Sequence, residues 1–121
     1  MSTPITLVLG ATPNPERYSF KATSLLLEKG YAVYAYGIKK GDIHSTPIQH
    51  QWPAKGTIDT VTLYLGPEAQ KSYYNDIIQL EPRRIIFNPG TENPELETLA
   101  SQNGIQTIEA CTLVLLTTGQ Y

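Results

Sequence analysis

The sequence predicts an α/β protein: a doubly wound parallel sheet of five strands with helices on both faces. Three observations carry this. Apolar runs of strand length alternate with stretches of helical period along the chain. The runs are nearly continuous rather than alternating, as strands covered on both faces require. The segments that follow them are rich in Gly, Pro, Asn or Lys, the composition of loops that gather at one edge of such a sheet. With 121 residues, 40% of them hydrophobic and 17% charged, the chain suffices for one domain (residues 1–121) with a real core.

Ile5 to Leu9 reads as the first strand. After a polar loop, Phe20 to Lys29 reads as a helix: Leu26 and Leu27 lie one turn beyond Thr23, and Leu25 widens the apolar stripe. Gly30 is placed as its left-handed C-cap. Tyr31 to Tyr36 is the second strand, rich in aromatic and β-branched residues. Lys39-Lys40-Gly41-Asp42 forms a turn, and Thr46 to Gln49 is a short third strand. Gln51 to Thr57 is loop. Ile58 to Leu65 is the next strand, and Gly66-Pro67 opens a helix with proline in a permitted position. Ala69, Tyr73 and Ile77 share one face of that helix, which Pro82 ends. Arg84 to Phe87 is a strand, and Asn88-Pro89-Gly90 a turn. Asn93 caps a helix that begins at Pro94, turns Leu96, Leu99 and Ala100 inward, and stops at Gly104. Ile105 to Glu109 is the last strand. Cys111 to Thr118 is either a short helix or an extended tail. Right-handed crossovers then give a strand order of 3-2-1-4-5, with the first strand in the middle.

In such sheets ligands lie beyond the carboxyl ends of the strands, where the winding reverses. Four segments converge there: the loop after Gly10, Gly37 to Gly41, Tyr64 to Pro67, and Asn88 to Thr91. Tyr64 and Gly66 are thereby candidate site residues. The first loop ends an apolar run at Gly10 and leads into a helix, the outline of a βα turn whose helix N-terminus faces an anion. It is not the dinucleotide fingerprint, since Thr12 and Pro15 stand where the second and third glycines belong. Two prolines stiffen the loop, leaving Thr12, Asn14, Arg17, Tyr18 and Ser19 to meet a ligand. The alternative is an ordinary Pro-rich turn.

Composition excludes several classes. Eleven acids against nine bases give a net charge of −2, without the basic footprint of a nucleic-acid binder. No signal peptide and no membrane span are readable, so a soluble, cytoplasmic protein is expected. At the end of the second strand, NAD-binding versions carry an acid for the ribose hydroxyls. Here Tyr36-Gly37 stands there, followed by Lys39 and Lys40. A carboxylate would repel a ribose phosphate and two lysines would attract one. That points away from NAD and toward coenzyme A or NADP, unless the lysines are merely a solvated turn.

Val8-Leu9-Gly10-Ala11-Thr12-Pro13-Asn14-Pro15-Glu16-Arg17-Tyr18-Ser19, with Leu-Glu-Lys-Gly30-Tyr31 before the second strand, resembles the small stand-alone CoA-binding proteins of bacteria. Their fold is Rossmann-like and similar to the nucleotide-binding domain of the succinyl-CoA synthetase alpha subunit. The resemblance spans essentially the whole chain, with support from Asp59-Thr60-Val61, Pro89-Gly90 and Cys111. It implies that the loop after the first strand wraps nucleotide phosphates through Gly10, Ala11, Thr12, Asn14, Arg17 and Ser19. The family's usual Pro-Val-Asn-Pro-Lys after the second strand is Ala35-Tyr36-Gly37-Ile38-Lys39 here, so only the lysine survives.

Nothing in the sequence pairs a nucleophile with a base. His44 and His50 stand at no recognisable spacing from a carboxylate pair, and the single Cys111 reads first as a small buried hydrophobe. The expectation is therefore a non-catalytic protein that binds coenzyme A or an acyl-CoA, a small-molecule nucleotide ligand, with a homodimer open to it. Two alternatives stand beside it: an NADP-binding reductase-like protein, and an interaction module on a CoA-binding scaffold that has lost its ligand.

Overall fold

The computed structural model describes residues 3–121. Met1 and Ser2, counted in the expected domain, lie outside the described residues. In chain order the elements are β1 (Ile5–Leu9), α1 (Tyr18–Glu28), β2 (Ala32–Tyr36), β3 (Asp42–Ile43), β4 (Thr46–Pro47), β5 (Thr60–Leu63), α2 (Pro67–Gln70), a 3₁₀ turn (Lys71–Tyr73), α3 (Tyr74–Leu80), β6 (Arg84–Phe87), α4 (Pro94–Gln102), β7 (Gln106–Glu109) and α5 (Thr112–Thr117). The tail beyond Cys111 is thus a helix. No helix among the described residues is long and apolar enough to cross a membrane.

β2, β1, β5, β6 and β7 form one sheet in that order, and every neighbouring pair is parallel. The chain winds outward from β1 to β2 and then back across β5, β6 and β7, the doubly wound α/β arrangement. The register puts Leu7 beside Tyr34 and Val61, and Val61 beside Ile85. Because strand side chains alternate, one set falls on each face. Leu7, Leu9, Val61, Leu63, Ile85 and Phe87 meet Ile77 and Leu80 of α3 and Leu96 and Ala100 of α4. Val8 and Ala35, on the opposite face, meet Leu26 of α1 and Leu116 of α5.

The first helix starts at Tyr18, two residues before the expected Phe20, and buries Ser19, Ala22, Thr23 and Leu26. That i, i+3, i+4, i+7 set is the stripe a sheet-covering helix needs. Gly30 ends it at φ 86, with its amide on the Leu27 carbonyl.

Thr46 to Gln49 is less than the expected third strand. Thr46 and Pro47 pair antiparallel with Ile43 and Asp42 in a hairpin turned through His44 and Ser45, both at positive φ. Gln49, itself in no strand, alone bridges in parallel to Tyr36 at the end of β2. The position next to β2 is therefore only sketched, β7 supplies the fifth strand at the other edge, and β5 rather than β1 is the middle of the five.

The helix after Gly66 also departs from its expected phase. The 3₁₀ turn interrupts it, Ala69 is exposed, and Gln70 is fully buried in its place.

Candidate functional site

Two glycines let three loops meet at the carboxyl ends of the strands. Gly10 adopts φ 104, and a Cβ there would lie 3.0 Å from the Tyr64 carbonyl oxygen. At Gly37 a Cβ would collide with the carbonyl oxygen of Ala11. The loop after β1 is thus clamped between the end of β2 and the end of β5. The amides of Gly10 and Ala11 both donate to the Tyr36 carbonyl, at 3.0 and 2.9 Å.

Beyond the clamp the loop shapes itself with side chains. The Asn14 amide donates to Thr12 Oγ1 at 3.3 Å, and the Glu16 amide to Asn14 Oδ1 at 3.0 Å. The Asn14 carbonyl takes the Arg17 amide at 3.2 Å. These turns deliver the chain into α1 through Arg17, and no side chain caps that helix. Its first-turn amides therefore face outward as donors, with the positive end of the helix dipole behind them. α4 is different: Asn93 Oδ1 accepts from the amides of Glu95 and Leu96.

The opposite rim is held by a buried polar network. Gln70 Nε2 donates at 2.8 Å to both the Leu65 and Thr91 carbonyls, and its Oε1 accepts from Asn93. Asn88 Nδ2 reaches Thr62 Oγ1 and the Leu63 carbonyl, while its Oδ1 accepts the Thr112 amide at 2.8 Å. Every polar group of these amides that the network uses is satisfied inside the protein, so the rim is set by the fold.

Between the two rims lies a cleft of about 710 Å³, within the ordinary size range of small-molecule sites. Of the residues named from the sequence, Gly10, Ala11, Thr12, Arg17, Tyr18, Ser19, Lys39, Tyr64 and Gly66 line it. Two expected residues do not. Asn14 uses its carboxamide oxygen in the loop's own turn, and Lys40 lies outside the lining on the exposed approach to the hairpin. The lining also takes in Tyr36 and Ile38, at and just past the end of β2, and Ala69, Ser72 and Tyr73, which sequence reasoning did not bring to the cleft. Tyr73 reads as a core residue from its spacing, and only the 3₁₀ turn brings it to the cleft. Tyr73 stacks on Trp52 at 5.6 Å, and Tyr36 meets the same indole edge-on at 5.0 Å.

The charged residues lining the cleft are Arg17 and Lys39, both cations, in a chain whose net charge is −2. Burial pushes the Tyr64 phenol up to about 12, against smaller opposing effects of Thr112 and Thr62, so at neutral pH it is a neutral donor. The histidines are engaged elsewhere. His44 packs on Phe20 and contacts Ser24 Oγ at 2.9 Å, and His50 Nδ1 lies 2.8 Å from the Gly37 carbonyl.

The class follows from topology and cleft together: a Rossmann-like α/β protein with its cleft where such sheets hold their ligands. Within that class the chain belongs to the CoA binding domain family, whose model matches residues 5–117. The crystal structure of an uncharacterized protein is similar at 45% identity, with a TM-score of 0.94 and 100% of each chain covered. A hypothetical protein from Pyrococcus horikoshii OT3 is 26% identical over 93% of this chain and 80% of that one, with a TM-score of 0.81. A Thermus thermophilus protein at 20% identity shares the fold, with a TM-score of 0.84 over 98% and 91% of the two chains. Comparison with curated proteins gives no match.

Proposed function

We propose that the protein binds coenzyme A or an acyl-CoA in this cleft and performs no chemistry on it. The observation that carries this is the pairing of an uncapped helix N-terminus with two cationic residues on a cleft that, among the described residues, no carboxylate lines. The diphosphate would sit against the first turn of α1 and Arg17, where amides, dipole and guanidinium act on the same charge. Lys39, just past β2, would meet a phosphate on the adenosine ribose. Tyr36-Gly37 occupies the end of β2, where an acid would favour NAD. The non-catalytic reading draws support from the separate engagement of both histidines.

Calorimetric titration with CoA, 3′-dephospho-CoA, NAD, NADP and ATP tests it. CoA should bind best, dephospho-CoA more weakly, and NADP no better than NAD. Tighter binding of NADP than of CoA, or no heat with any of them, would overturn the reading.

A further inference from the structure

The cleft is chemically asymmetric along the sheet. Its two cations stand on the side of β1 and β2: Arg17 leads into α1 and Lys39 follows β2. The far rim, beyond β5 and β6, is lined by Tyr64, Leu65, Gly66, Pro89, Gly90 and Thr91, none of them carrying a charge at neutral pH. Next to that rim a negative charge is held in place. The exposed Glu92 carboxylate accepts the Gly90 amide at 2.9 Å. The nearest lysine along the chain on that side, Lys71, is paired with Glu68 at 3.1 Å.

Resting on the CoA reading above, we propose that this rim sorts thioesters by charge: free CoA and neutral acyl groups are accepted, acyl groups ending in a carboxylate are disfavoured, and Glu92 is the specificity-determining residue. CoA carries all its phosphates at one end and its thiol at the other, joined by an uncharged arm. Phosphates held by Arg17 and Lys39 send that arm across the sheet toward β6. From β2 to β6 is three strand spacings, about 14 Å, the scale of an extended pantetheine arm. The acyl group then arrives beside Gly90, where a terminal carboxylate meets Glu92 and no lining cation. The same rim is fixed by Gln70 and Asn88, so it cannot open easily to move the two charges apart.

The test is competitive binding of CoA, acetyl-CoA and succinyl-CoA to the wild-type chain and to Glu92→Gln, at low and high salt. The glutamine keeps an oxygen for the Gly90 amide and removes only the charge. Wild type should bind CoA and acetyl-CoA alike and succinyl-CoA up to about fivefold more weakly, as befits a solvent-screened charge pair. The gap should shrink with salt and close in Glu92→Gln, with CoA affinity unchanged. Succinyl-CoA binding as tightly as acetyl-CoA, or a gap that survives Glu92→Gln, overturns the proposal while leaving CoA binding intact. Failure of free CoA to bind removes both readings.

Discussion

Asn93 donates from its carboxamide to Gln70 Oε1 at 2.9 Å while its own oxygen caps α4. One side chain thus fastens the start of α4 to the helix that forms the cleft's far wall. Gln70 passes the constraint on, holding the Leu65 and Thr91 carbonyls from one nitrogen. Gln70→Ala would take this partner from the Leu65 and Thr91 carbonyls and from one N–H of Asn93, whose other N–H keeps the Tyr74 hydroxyl, at a fully buried place. It should cost about 2–3 kcal/mol in a urea unfolding experiment, the scale for orphaned buried polar groups. A loss within experimental error would show that water substitutes freely for the side chain.

Two glycines of the cleft should respond oppositely to alanine. Gly37→Ala must move either β2's end or the loop carrying Ala11, since the added methyl collides with a backbone oxygen. Lower stability and weaker CoA binding are expected together. Gly66 has φ −66 and open space around its Cα. Gly66→Ala should be neutral or stabilising by up to about 1 kcal/mol, because it restricts the unfolded chain. Thermal melts of the two variants side by side decide the matter, and equal behaviour would discount the clamp.

The cations separate in the same way. Arg17→Ala should weaken CoA binding by about 1.5–3 kcal/mol, the range for hydrogen bonds to a charged group. Lys39→Ala should abolish the preference for CoA over 3′-dephospho-CoA, whereas Lys40→Ala should preserve it, because only Lys39 lines the cleft. A preference that instead depends on Lys40 would place the ribose phosphate outside this cleft.

Tyr64 makes the alkaline limb of stability specific. Its folded pKa of about 12 exceeds the ordinary value of 10.0, so the unfolded chain loses that proton first. Its contribution is complete below the unfolded value and fades as pH rises through the folded one, between about 10 and 12. Tyr64→Phe should flatten the fall of stability over that interval. An unchanged slope in chemical denaturation would assign the effect to other tyrosines.

The inner part of the sheet was legible because β1, β5 and β6 are buried on both faces, and Ile5–Leu9 accordingly reads as a nearly unbroken apolar run, whereas the edge strands β2 and β7 stay partly exposed. The start of the site was legible for a related reason: Gly10 and the prolines after it punctuate a strand-to-helix turn. Phase was harder. Ala69, Tyr73 and Ile77 fit a helical stripe, but the 3₁₀ turn at Lys71–Tyr73 rotates what precedes it and buries Gln70 instead. The reward for burying a polar residue there lies in Leu65, Thr91 and Asn93, contacts that no local pattern records. That Asn14 and Lys40 lie outside the cleft lining was not legible, because residue type signals capacity to bind, while the direction of a loop side chain is settled by turns such as the one closing on Asn14 Oδ1. The edge beyond β2 was overestimated because Thr46 and Pro47 pair with Ile43 and Asp42 in the hairpin and leave only Gln49 to reach the sheet.

Trp52 is the only tryptophan in the chain, and it lies flat against Tyr73 and edge-on to Tyr36, both of which line the cleft. Its indole N–H is buried without a hydrogen-bond partner among the described residues. The molecule therefore carries a single indole emitter, separable from its eight tyrosines by excitation at the red edge, half-buried and one ring away from the place a ligand would occupy. Any occupant that shifts either tyrosine alters the quenching of that one emitter, so filling of the cleft can be followed in unlabelled protein by its intrinsic emission. Because no second tryptophan contributes background, amplitude and rate would report on the cleft alone, and Trp52→Phe would silence the signal.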